Sequence, residues 1–145
     1  MGAIEQAIIL AAGEGQRLRP FTALKPKVML PIANRPILSY VVEAAVRNGI
    51  KNIVMIVGYK KEQVQDYFGT GEQFGVNITY FTQKQQIGTG HALKTAEKVA
   101  AERFMVLPGD NVIEPPTIAD IARAGSPTIL VRKSENASKY GVVMV

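Results

Sequence analysis

The run Asn52-Ile53-Val54-Met55-Ile56-Val57 offers no polar face. An apolar, β-branched segment of that length reads as a strand that must be covered on both sides, as a central strand of a parallel sheet is. Gly58 ends it. The segments around it follow the same logic. Ala7-Ile8-Ile9-Leu10-Ala11-Ala12 is a second buried strand, and from Pro36 to Asn48 the residues Leu38, Val41, Val42, Ala45 and Val46 keep the three-four spacing of one buried helical face, closed by Gly49. Lys61 to Phe68 sets Val64, Tyr67 and Phe68 at helical spacing, and Asn77 to Phe81 is a third strand. Thr89 to Glu102 predicts a helix with Ala92, Leu93, Ala96, Val99 and Ala100 on one side, followed by a strand from Phe104 to Leu107. Thr117 to Ala124 predicts a short helix and Pro127 to Val131 a further strand. Strand and helix in regular succession predict an α/β domain with a mostly parallel sheet, whose right-handed crossovers put helices on both faces.

Between the first strand and the first helix, Lys25-Pro26-Lys27-Val28-Met29-Leu30-Pro31 predicts an extended loop with a short strand inside it, because each residue before a proline is pushed out of helical geometry. The chain closes on Tyr140-Gly141-Val142-Val143-Met144-Val145, a strand just under way. On that pattern we expect residues 1–145 to be the N-terminal portion of one longer, truncated domain.

Composition narrows the class. The 145 residues are 47% apolar and 20% charged, as in a soluble globular domain. The 17 basic against 12 acidic residues are scattered along the chain, so nucleic acid is not an expected partner. The absence of cysteine removes thiolate chemistry and cysteine metal sites and suits a reducing compartment. The first apolar run meets Glu14 too soon for a signal peptide or a membrane span, so we expect a cytoplasmic protein with no membrane partner.

In an open parallel sheet ligands gather at the carboxyl ends of the strands. The first strand runs through Leu10, Ala11 and Ala12 into Gly13-Glu14-Gly15, with Arg17 and Arg19 following. Closely spaced glycines let backbone N–H groups converge on an anion, and the arginines add charge that does not titrate away. The other strand-end loops bring Gln83 to Thr89 and Gly109-Asp110-Asn111: amides in one case, a carboxylate in the other. A dinucleotide fingerprint would need glycine where Leu18 stands, and a Walker loop would need Gly-Lys followed by Ser or Thr. Neither is present.

Gly13-x-Gly15-x-Arg17-Leu18 after an apolar strand resembles the signature of the sugar-1-phosphate nucleotidyltransferases. The likeness continues in order through Lys27-Val28-Met29-Leu30-Pro31, Asn34-Arg35-Pro36-Ile37-Leu38, Gln83 with Gly88-Thr89-Gly90, Gly109-Asp110 and Tyr140-Gly141-Val142. It implies a Rossmann-like, doubly wound nucleotide-diphospho-sugar transferase fold. It also implies a reaction in which a sugar 1-phosphate attacks the α-phosphorus of a pyrimidine nucleoside triphosphate and pyrophosphate leaves.

The resemblance assigns roles as well. Arg17 and Lys27 would be the catalytic cations; Leu10, Ala11, Ala12, Gly13, Gly15, Gln83, Gly88 and Thr89 would hold the nucleotide, with Gln83 reading the base. Asp110 would bind magnesium, and Tyr140 and Gly141 would touch the sugar. The run Gly88-Thr89-Gly90-His91-Ala92 looks more like the N-acetylglucosamine-1-phosphate uridyltransferase branch than the thymidylyltransferase branch, which puts UTP ahead of dTTP. Relatives carry a second metal-binding Asp or Asn downstream that has no counterpart here. A homo-oligomer is open for a longer protein.

Each assignment has a plainer rival. Arg17 and Lys27 taken singly are ordinary surface cations, Gln83 a solvated loop residue like Gln85 and Gln86, and Asp110 an Asx-turn. His91 has no carboxylate neighbour in sequence and reads as packing or support rather than as a catalyst. At the level of function the rival is a sensor that binds nucleotide sugar without turning it over; a dinucleotide-dependent oxidoreductase fails on Leu18.

Overall fold

The computed structural model describes residues 3–143. In chain order the elements are β1 (Gln6–Ala11), β2 (Pro31–Ile32), β3 (Arg35–Pro36), α1 (Ile37–Arg47), β4 (Asn52–Val57), α2 (Lys61–Phe68), β5 (Asn77–Thr82), α3 (Thr89–Lys94), β6 (Met105–Pro108) and α4 (Pro115–Arg123), with short 3-10 turns between them. The main sheet has the order β5-β4-β1-β6 and every ladder in it is parallel. The sequence moves outward from β1 through β4 to β5, then crosses back to β6, which is the doubly wound arrangement.

Side-chain alternation along the strands explains how both faces are filled. Ala7, Ile9, Ala11, Ile53, Met55 and Val57 point into a core shared with Leu38, Val41 and Val42 of α1, Val64 and Phe68 of α2, and Ile118 of α4. Ile8, Val54 and Ile56 point the other way, to Ala92 of α3 and to Ala96. The outward crossovers therefore lie on one face and the returning crossover on the other. Phe68 stacks edge-on against Tyr67 and lies beside Phe74, with centroids 4.8 and 5.2 Å away, closing the base of the larger core.

Several expectations need correction. The segment Lys27–Met29 is a 3-10 turn, and the short strand comes after it: Pro31–Ile32 pairs antiparallel with Arg35–Pro36 around Ala33 and Asn34, both at positive φ. The helix from Thr89 is regular only to Lys94. Beyond it the bonds tighten to three-residue spacing, Ala96 N–H to the Leu93 carbonyl and Glu97 N–H to Lys94, while Thr95 Oγ1 bonds back to the His91 carbonyl. Val99, expected on the buried side, is 39% exposed. The helix α4 starts at Pro115, two residues before Thr117, because prolines are pre-organised for the first helical positions.

The strand expected at Pro127–Val131 does not form, nor do residues 140–143 make one; Met144 and Val145 lie outside the described residues. Neither segment makes ladder bonds to β6, so their β-branched composition has no partner to act through. Among the described residues no helix is long and apolar enough to cross a membrane.

Candidate functional site

Three carboxyl-end loops meet where β1 stops. Ala12 is buried, and its carbonyl oxygen accepts two bonds: Tyr59 N–H at 3.1 Å and Gln86 Nε2 at 3.0 Å. The approach is close enough to require glycine at position 58, where an added Cβ would lie 2.8 Å from the Ala12 oxygen. Gly109 makes the matching approach on the other side, its N–H 2.8 Å from the Leu10 carbonyl. The glycine loop is thus held between the ends of β4 and β6.

Gly15 turns the loop in the left-handed region, at φ 75°. Its carbonyl accepts Leu18 N–H at 2.9 Å and the hydroxyl of Thr22 at 3.0 Å. Thr22 is fully buried, and the Tyr59 hydroxyl donates to the carbonyls of Thr22 and Ala23, at 3.1 Å each. The stem of Lys27 packs across Gly15 so tightly that a Cβ there would sit 2.7 Å from Lys27 Cβ. Lys27 Nζ then reaches Asp110 Oδ2, at 2.6 Å.

Arg17 stands in the 3-10 turn Gln16–Leu18, exposed and without a partner among the described residues. Arg19 is instead committed to Glu14: the two form an ion pair, which holds the Glu14 carboxyl below the usual range, helped by a bond from Gln16 Nε2, and holds the Arg19 guanidinium above its usual value. Of the two arginines after the glycines, then, Arg17 is available to a ligand.

Gln83 follows β5 directly and is 6% exposed. Its Nε2 lies 3.2 Å from the Gly88 carbonyl and 3.0 Å from His91 Nδ1. Gly88, at φ 105°, is the residue from which α3 starts.

These groups line one cavity of about 400 Å³. Leu10, Ala11, Ala12, Gly13, Gly15, Arg17, Lys27, Gln83, Gly88, Thr89 and Asp110 all contribute to it, so residues up to a hundred positions apart meet in one place. Val28, Gln86, Ala92 and Pro108 line it too and were not anticipated. Gln86 is exposed, as a solvated loop residue would be, but its amide also ties the loop to Ala12. A bond to a backbone carbonyl far along the chain leaves no mark in a sequence. Tyr140 and Gly141 do not line the cavity; both are exposed on a segment that makes no ladder with the sheet. A larger hollow of about 740 Å³ lies beside β6, walled by Phe104, Ile113, Ile121 and residues 124–130, and its lining is mainly apolar. Glu102 and Arg103 also border it, whereas the smaller cavity joins Arg17, Lys27 and Asp110 to the glycine loop and the Gln83 amide.

With two cations, one carboxylate, a glycine turn and a buried amide, the smaller cavity suits an elongated polyanion carrying a hydrogen-bonding ring. Asp110 could offer a metal ion one hard oxygen ligand, and its Oδ1 has no partner among the described residues. No group of three metal-ligating side chains occurs among them, so further ligands would have to come from phosphate oxygens or from residues not described.

The profile of the nucleotidyl transferase family matches residues 6–145. A bifunctional protein GlmU from Methanococcus maripaludis is 38% identical over 139 residues, covering 94% of this chain and 32% of that protein. The UTP–glucose-1-phosphate uridylyltransferase AglF of Haloferax volcanii is 39% identical over 144 residues, covering 94% of this chain and 58% of that protein. Among solved structures, a UDP-glucose pyrophosphorylase complexed with UDP-glucose superposes with a TM-score of 0.71 at 29% identity, over 82% of this chain and 52% of that one. The chain thus spans between about a third and three-fifths of the length of these relatives.

Proposed function

The chain belongs to the nucleotidyl transferase family, and from that premise we propose that its cavity binds a pyrimidine nucleoside triphosphate, UTP ahead of dTTP, and directs its α-phosphorus to a sugar 1-phosphate, giving a nucleotide sugar and pyrophosphate. The observation that carries this reading is the convergence of Gly15, Arg17, Lys27, Gln83 and Asp110 on one 400 Å³ cavity.

The chemistry asks for little beyond charge and position. A sugar phosphate is already ionised near neutral pH, so no general base is needed. Bringing two polyanions together costs roughly 4 kcal/mol per unit-charge pair at about 4 Å in a half-wet site. Arg17, exposed and unpaired among the described residues, would clamp the triphosphate and later the leaving pyrophosphate through its planar fork. Lys27, steadied at its stem by Gly15 and at its tip by Asp110, would place a compact charge near the reacting phosphorus. The Gln83 amide would meet the edge of the base. Magnesium held by Asp110 and phosphate oxygens would supply further charge withdrawal from the α-phosphate.

A panel of sugar 1-phosphates tested with UTP and dTTP for magnesium-dependent pyrophosphate release decides the matter. Release with one pairing is the expected result; binding of nucleotide sugar with no release by the full-length protein would replace the enzyme with a sensor.

A further inference from the structure

We propose that His91 fixes the orientation of the Gln83 side-chain amide, so that the site presents an acceptor to the base and takes uracil or thymine nucleotides in preference to cytosine nucleotides. The proposal rests on the reading of the cavity as a nucleotide site and adds to it a residue and a rule of selection.

The carbonyl of Gly88 can only accept, so the end of the Gln83 amide that lies 3.2 Å from it has to be the NH2 group. The same nitrogen is 3.0 Å from His91 Nδ1. Its second hydrogen points the histidine to the neutral tautomer with Nδ1 bare and the proton on Nε2. Both amide hydrogens are then used. Gln83 Oε1 is left without a partner among the described residues, and it is not sealed away, because no buried side-chain polar atom among them lacks a partner. Gln83 lines the cavity, and Oε1 is the part of its amide left to meet a ligand there.

The backbone keeps the arrangement in place. Gln83 N–H bonds the Val57 carbonyl at 2.8 Å, and the Gly88 carbonyl also takes Ala92 N–H at 3.1 Å, the first bond of α3. The amide can turn over only by giving up its bond to Gly88, which sets its oxygen against that carbonyl, and by forcing His91 to move its proton from Nε2 to Nδ1. Uracil and thymine carry an N–H at N3, which can donate to Oε1. Cytosine carries a lone pair there and would face an acceptor with an acceptor, a mismatch a polar site rejects strongly because it leaves desolvated groups unpaired.

The test compares UTP and CTP binding by competition, with turnover measured alongside, in the wild-type protein and in His91→Leu and His91→Asn. Leucine removes the Nδ1 acceptor, whereas the asparagine Oδ1 can take its place. The preference for UTP over CTP is expected to fall by about tenfold in His91→Leu and to survive in His91→Asn, with turnover at saturating UTP little changed. An unchanged preference in His91→Leu overturns the proposal, as does an equal loss in both variants. Gln83→Ala separates the two levels. If it erases the preference while His91→Leu does not, Gln83 reads the base unaided; if wild-type protein holds no pyrimidine triphosphate, the nucleotide site itself falls and the selection rule with it.

Discussion

Lys27 Nζ lies 2.6 Å from Asp110 Oδ2, joining the turn after the glycine loop to the end of β6 across 83 positions of sequence. Both side chains are about one-third exposed, at 36% and 34%. A pair that open to water contributes little to folding, about 1 kcal/mol or less. Its value would lie in holding a cation and a carboxylate ready on the same side of a phosphate chain. Asp110→Ala and Lys27→Ala are therefore expected to leave the melting temperature nearly unchanged while each lowers turnover by about 10²-fold or more. Thermal melts and pyrophosphate release measured on the same preparations check this, and near-normal rates would remove both residues from the machinery.

Arg17→Ala is expected to cost about 10²-fold or more in turnover, and Arg19→Ala much less, because Arg19 is already bound to Glu14. Equal losses at both positions would contradict the division of labour between them.

Gly15→Ala combines a left-handed backbone, φ 75°, with a Cβ that would strike Lys27 Cβ at 2.7 Å. We expect a stability loss of about 1–3 kcal/mol and a displaced Lys27, read as weakened triphosphate binding. At Gly13 an added Cβ meets nothing within 4 Å, so Gly13→Ala should fold normally, and any loss of binding there reports contact with the ligand.

Thr22→Val keeps the shape of a fully buried side chain and deletes its bond to the Gly15 carbonyl. A loss of about 1 kcal/mol in stability and a raised KM for the triphosphate are expected, with Thr22→Ser restoring both in large part. An unchanged KM would mean that the Leu18 N–H alone holds the loop.

Burial pushes the Tyr80 phenol up from 10.0 to about 12. The folded state therefore keeps a proton that the unfolded chain releases; the stabilisation is complete below the ordinary pKa of 10.0 and is lost as pH climbs towards 12. Denaturant melts between pH 9 and 12 should show a steeper fall for wild type than for Tyr80→Phe, in about that window. Identical slopes would show that the phenol titrates as it does in water.

The larger elements were legible because their signals are local. The unbroken β-branched run at Asn52–Val57 fits a doubly covered strand, and the spacing of Leu38, Val41, Val42 and Ala45 fits one helical face, and both form as read. The failures share a cause. Pro127–Val131 has strand composition, yet a strand exists only as one side of a ladder, and none reaches it. The helix from Thr89 keeps its apolar spacing past Lys94, yet a Thr95 hydroxyl bond and tightening turns end its regular part early.

The sequence by itself determined the kinds of groups available for chemistry and the order in which they appear: a glycine loop with arginines, a lysine turn, an amide loop, an aspartate at a strand end. Those depend on residue identity and short spacing, which the chain carries along its length. Only the tertiary structure decided which of them act together. It separated Arg17 from Arg19 by giving the latter a carboxylate partner, tied the exposed Gln86 to the Ala12 carbonyl, and set His91 against Gln83. It also left Tyr140 and Gly141 outside the cavity. The direction of a side-chain hydrogen bond depends on where two distant backbones pass each other, and a parallel sheet fixes that only when its strands pair.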